Sequence, residues 1–170
     1  MSSSSISVSE YSVLSAAAYA DFYNPLNAVA EPNLPPGWQV DSNTSSPDTS
    51  TGWSDFLGSG FSATTFVNNS TKNVVIAFEG TDFGPDKGIL GSDGISDIVI
   101  GLGLGSSQLV RAAQVYENVL NTYKAQGYTI SFTGHSLGAG LASVMSVWFD
   151  VPSTVIDVAP FLATIQVSIL

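Results

Sequence analysis

Cysteine is absent from this chain, which removes disulfides, thiolate metal sites and cysteine nucleophiles together. That absence fixes no compartment. Basic residues are nearly as scarce: four Lys and Arg stand against fourteen Asp and Glu, for a net charge of −10. A surface of that sign repels phosphate backbones, so nucleic acid is not an expected partner. It also disfavours anionic membrane surfaces, which leaves transient contact with a lipid interface to an apolar patch. Long apolar runs are missing as well. The longest mostly apolar stretch, Ile98–Leu104, is far too short to span a bilayer. The opening text, MSSSSISVSEYSVLSAAAYADFY, has neither the basic region nor the continuous apolar segment of a Sec signal peptide. No terminal lipidation motif is visible. Histidine occurs once, as His135.

What remains is a globular composition. The chain has 170 residues, 44% of them hydrophobic and only 11% charged. One domain over residues 1–170 is the natural reading, and a domain of this size hides roughly 70% of its unfolded surface. Val8, Tyr11, Leu14 and Ala18 fall at helical spacing, with Ser7 or Ser9 as cap. Residues 24–51 are rich in Asn, Pro, Ser, Thr and Gly, and read as a long surface connection with a short strand at Trp38–Val40. Gly60–Val67, the turn residues Asn68–Lys72 and the β-branched run Asn73–Phe78 read as a hairpin feeding a buried sheet. Residues 106–126 repeat apolar side chains at helical spacing, capped at Ser106 or Ser107 and stopped at Gly127. Tyr128–Thr133 reads as a strand, Leu137–Phe149 as a helix and Thr154–Val158 as a further strand. That order predicts an α/β fold with a mostly parallel sheet and helices on both faces.

The chemistry concentrates in FTGHSLGAG, residues 132–140, which holds Gly-x-Ser-x-Gly around Ser136. The pattern alone is weak, but here it sits between a strand and a helix, as a nucleophile elbow requires. Gly134 and Gly138 leave room where side chains would clash in a strained turn. The Ser136 oxygen then lies near a helix N-terminus, whose free N–H groups favour developing negative charge. The bland alternative is a serine helix cap in an ordinary glycine turn. A second candidate is Phe78-Glu79-Gly80-Thr81, at the end of the buried strand. Acyl transfer needs two backbone N–H groups aimed at the oxyanion. Leu137, after the serine, supplies one; Thr81 is placed to supply the other, and its hydroxyl a third donor. Here the alternative is a plain strand-ending turn.

Phe-x-Gly-Thr closing a buried strand, then a helix, then Phe-Thr-Gly-His-Ser-Leu-Gly-Ala-Gly-Leu-Ala, resembles the fungal-type (class 3) lipases of the α/β-hydrolase superfamily. The likeness runs from about Asn73 to Ala159. It implies carboxylic-ester hydrolysis, often of lipids, with Ser136 as nucleophile, Thr81 and Leu137 as oxyanion hole, and Gly134, His135 and Gly138 as the elbow. It implies a lid at about residues 82–105, and no cofactor or metal. The family usually has Arg where this chain has Glu79. Its base and acid follow the serine in the order Ser, Asp, His, whereas no histidine follows Ser136 here. His135 belongs to the elbow signature and is not the base, because neighbouring side chains at a sharp turn point apart. Asp157 is expected to be a core or strand-end residue.

These residues are therefore expected to be a partial α/β-hydrolase, the N-terminal portion of a longer one, with a non-catalytic relative as the alternative. A thioesterase or peptidase on the same elbow is another. A calcium-binding secreted module is suggested by Asp82, Asp86, Asp93 and Asp97, although their spacing is not that of an EF-hand. Class 3-like enzymes are often secreted, so export without a Sec signal is favoured over the cytoplasm.

Overall fold

The computed structural model describes residues 5–20, 33–46, 61–80 and 106–158. The first helix, α1 (Val8–Ala17), starts at a capping box: Ser7 Oγ accepts the Glu10 N–H at 3.2 Å, and the Glu10 carboxylate accepts the Ser7 N–H at 2.8 Å. The helix buries Tyr11, Leu14, Ser15 and Ala17, and Ala18 beyond its end, but leaves Val8 in its first turn exposed. The buried stripe is therefore one residue shorter than the sequence spacing suggests. Glu10 also accepts the indole N–H of Trp38 at 2.9 Å, which ties the helix start to the first strand, β1 (Trp38–Val40). That bond, followed by those from Ser7, holds the Glu10 carboxyl below its usual range.

Next comes the hairpin, β2 (Ala63–Asn68) and β3 (Asn73–Phe78). Its turn is organised by Asn68, whose side-chain Oδ1 accepts from the Ser70 N–H, the Ser70 hydroxyl and the Thr71 N–H. Both strands are buried along their whole length, as a β-branched run covered on two faces should be. Helix α2 (Ser106–Tyr123) follows; the side chains of Ser106 and Ser107, one of them expected as its cap, lie outside the described residues. A 3-10 turn, Lys124–Gln126, ends at Gly127 with φ +78°, a left-handed stop. The chain then forms β4 (Thr129–Ser136), α3 (Leu137–Phe149) and β5 (Ser153–Val158).

The five strands lie in chain order, β1-β2-β3-β4-β5. Pairs β1–β2 and β2–β3 are antiparallel, and β3–β4 and β4–β5 are parallel. The sheet is thus mixed, and its parallel half is the half that carries the elbow. Helices cover both faces. On one, α2 and α3 pack over Val74, Ile76, Phe78 and Phe132; on the other, α1 packs over Phe66, Val75 and Ala77. The alternation along β3 sends its side chains to the two cores in turn. Phe66, Phe78 and Phe132 are fully buried, and each such ring contributes roughly 1.5–3 kcal/mol relative to exposure. At the edge of the core, Asp41 accepts hydrogen bonds from Tyr123 Oη at 2.6 Å, Thr44 Oγ1 at 2.7 Å and the Asn43 N–H at 3.0 Å, joining the end of β1 to the end of α2. No described helix is long and apolar enough to cross a membrane.

Candidate active site

Strands β3, β4 and β5 run parallel, so they end on one side of the sheet, where ligands bind in open α/β folds. Ser136 stands at the end of the middle strand. Its backbone has φ +55° and ψ −119°, a conformation that L-residues seldom adopt and that costs of order 1–3 kcal/mol. The chain provides its own comparison. Ser7 caps α1 in the ordinary way, with φ −77° and ψ 156° and its hydroxyl accepting from the Glu10 N–H. Ser136 holds the same position before α3, yet its side chain makes no capping bond. The helix-cap alternative therefore does not describe it.

The elbow glycines explain how the turn is made. A Cβ on Gly138 would run into the Phe78 carbonyl oxygen and come within 2.8 Å of the Glu79 carbonyl carbon. A Cβ on Gly134 would run into the Gly138 carbonyl and come within 2.8 Å of the Ala139 nitrogen. Without side chains at these two positions, α3 begins directly against the ends of β3 and β4. The first-turn N–H groups of α3, that of Leu137 included, have no carbonyl partner within the helix, and the helix dipole makes their surroundings favourable for an anion.

The parallel register pairs Phe78 with Gly134, which carries the chain beyond Phe78 alongside the elbow. Glu79 is held there by its N–H, which donates to the Ser62 carbonyl at 3.1 Å. A Cβ on the buried Gly80 would come within 2.7 Å of the His135 carbonyl oxygen and 3.5 Å of the Leu137 nitrogen. Gly80 is therefore packed against the elbow backbone. Thr81, the expected second oxyanion donor, lies outside the described residues, as do the expected lid at 82–105 and Asp82, Asp86, Asp93 and Asp97. Among the described residues no cluster of His, Cys, Asp and Glu could hold a metal ion.

His135 is half exposed, and its ring meets Tyr19 and Asp157. Nδ1 lies 3.1 Å from Tyr19 Oη, the two rings meeting edge to face with centroids 6.0 Å apart. Nε2 lies 3.9 Å from Asp157 Oδ2. Asp157 is the extra residue of a bulge: His135 pairs with Ile156 and Ser136 with Val158, and Asp157 has φ +48°. With its side chain 89% exposed, Asp157 is a strand-end residue and not a core one, and solvent screens its contact with His135. Tyr19 is the member of this group that sequence reasoning missed. It lies just past the end of α1, where the helical spacing gives no signal.

These parts suit acyl transfer: a half-buried serine on a strained turn, at the start of a helix whose first N–H groups have no partner within the helix. A family model described as phospholipase-like, Tle-like phospholipase domain, matches residues 10–162. Among solved structures, the chain is similar to Lip2 lipase from Yarrowia lipolytica, with 16% identity and a TM-score of 0.54 over 88% of this chain and 56% of that one. It is similar to the nonglycosylated form of the Yarrowia lipolytica LIP2 lipase, with 17% identity and a TM-score of 0.50 over 82% and 52%. Lipase II from Rhizopus niveus matches with 18% identity and a TM-score of 0.46 over 84% and 54%. The chain thus spans about half the length of these lipases, and at such identities the Lip2 likeness establishes the α/β-hydrolase fold alone. No curated protein matches the chain.

Proposed function

We propose that this chain, which belongs to the family of Tle-like phospholipase domains, carries the nucleophile and oxyanion-binding half of a serine ester hydrolase acting on lipid acyl esters. The observation that supports this most is the backbone of Ser136: strained, uncapped and at the apex between β4 and α3. In the reaction, Ser136 Oγ attacks the ester carbonyl carbon and its proton passes to a general base. The carbonyl oxygen becomes an oxyanion, held by the N–H groups of Leu137 and Thr81. The carbonyl double bond re-forms as the alcohol leaves, taking up the proton from the base. Water then repeats the attack on the acyl-serine and releases the carboxylic acid.

His135 does not serve as the base. Its ring is occupied by Tyr19 and Asp157, and it is the sole histidine of the sequence. A histidine base for Ser136 therefore has to come from residues outside these 170. A phospholipid substrate fits the family description. The test is hydrolysis of a p-nitrophenyl ester by this 170-residue chain and by the longest form of the gene product, side by side. Turnover is expected only in the longer form, and Ser136→Ala should abolish it. Turnover by the 170 residues that depends on Ser136 would overturn the assignment of the base. Turnover in the longer form that survives Ser136→Ala would overturn the nucleophile.

A further inference from the structure

An oxyanion hole built from two chain segments works only if those segments keep their spacing to a fraction of an ångström. Here the two segments are the elbow and the residues after β3, and the ladder between their strands ends at the pair Phe78–Gly134. Beyond that pair, the bridge is the side chain of Tyr19. Its Oη accepts the Gly80 N–H at 3.0 Å, and also lies 3.1 Å from His135 Nδ1 and 3.4 Å from the His135 carbonyl oxygen. Both segments also touch directly, since a Cβ at Gly80 would run into Tyr19 Oη and come within 2.7 Å of the His135 carbonyl oxygen. One hydroxyl, from just past the end of α1, is thus bonded to the strand exit and faces the elbow ring and backbone.

We infer that Tyr19 is a positioning residue for the oxyanion-binding backbone, clamping Gly80 to the elbow through its bonds to the Gly80 N–H and to the His135 ring. This rests on the ester-hydrolase reading above. In this arrangement Oη accepts the Gly80 N–H and donates to His135 Nδ1, the nearer of its two contacts with that residue. Neutral His135 then carries its proton on Nε2, the nitrogen facing the Asp157 carboxylate, so both neighbours select the same tautomer. Tyr19 touches no reacting atom in this scheme; it acts through Gly80 and His135.

The test has two arms. In the 15N-labelled 170-residue chain, the single histidine gives one pair of ring nitrogens, and long-range proton–nitrogen correlation reads the tautomer directly. The expected result is the Nε2–H form, lost or mixed in Tyr19→Phe, together with a shift of the Gly80 amide proton. In the longest form of the gene product, Tyr19→Phe should slow the covalent reaction of Ser136 with a fluorophosphonate by about tenfold, the factor that 1.4 kcal/mol of lost stabilisation produces. The saturation constant for the probe should stay unchanged. A general loss of structure would move both constants and the melting temperature. An Nδ1–H tautomer in the unsubstituted chain, or an unchanged labelling rate in Tyr19→Phe, would overturn the inference. If Tyr19→Phe does not fold, the tautomer of the unsubstituted chain decides alone. If Ser136 is not labelled in any form, the ester-hydrolase reading fails, while the tautomer still shows whether the clamp exists.

Discussion

Replacing Gly138 with alanine sets two physical effects against each other. Gly138 lies in the first turn of α3, and in an isolated helix Gly→Ala is stabilising by about 1 kcal/mol. In this fold the added Cβ would overlap the Phe78 carbonyl oxygen and come within 2.8 Å of the carbonyl carbons of Phe78 and Glu79. All of these are backbone atoms. Phe78 is fully buried and closes the ladders to both Ala63 and Gly134, so β3 cannot yield without disturbing β2 and β4. Overpacking of this kind costs typically 1–3 kcal/mol, and more where backbone must move. The clash wins, and Gly138→Ala should destabilise the chain by on the order of 3 kcal/mol, lowering the melting temperature by about 6–12 °C. Gly127→Ala is the control. It has φ +78° with nothing within 4 Å of the new Cβ, so only backbone strain of about 1 kcal/mol opposes it. Urea unfolding followed by circular dichroism measures both. A Gly138→Ala chain as stable as the unsubstituted one, or less affected than Gly127→Ala, would refute the close approach of α3 to β3.

The strain at Ser136 predicts a trade between stability and chemistry: Ser136→Gly should be more stable than Ser136→Ala by about 1 kcal/mol, because only glycine is at ease at that φ, and both should lack esterase activity in the longest form of the gene product. Equal stabilities in urea would argue against the strained elbow. Tyr123→Phe removes the hydroxyl that donates to Asp41 at 2.6 Å and should cost roughly 1.5–3 kcal/mol, the usual range for a hydrogen bond to a charged group, in the same unfolding assay. Glu10 has a folded pKa held below its ordinary value of 4.5, first by the Trp38 N–H and then by Ser7. Its contribution to stability is therefore present above pH 4.5 and lost as the pH falls through the lowered value. Glu10→Gln should flatten that part of the urea-midpoint profile; an unchanged acid limb would assign it to other carboxylates.

Much of the fold was legible because its elements are locally consistent. Asn73–Phe78 is built around the β-branched run Val74–Ile76, and both its bounds and those of Leu137–Phe149 follow from residue type and the glycines at the turn. The hairpin was legible from NNSTK, whose Asn68 makes the turn bonds. Less legible was the balance of the sheet. β1 is only three residues long and pairs antiparallel with β2, a tertiary choice that leaves no periodic mark. Val8 shows the limit of helical spacing, since the pattern places it on the buried face and the structure leaves it exposed. The elbow was readable as Gly-x-Ser-x-Gly between strand and helix, but its strain was not, because φ is a property of the folded backbone. Tyr19 was invisible for a different reason: its bonds span from the end of α1 to Gly80 and His135, and no local pattern encodes so distant a contact.

The central claim is that Ser136 becomes a nucleophile once a base from outside these residues is present. Mass-spectrometric mapping of a fluorophosphonate adduct in the longest form of the gene product tests it most directly. The account predicts a single adduct on Ser136 that persists, at a reduced rate, in His135→Asn. An adduct on another residue, an unlabelled Ser136, or complete loss of labelling in a folded His135→Asn protein would contradict it.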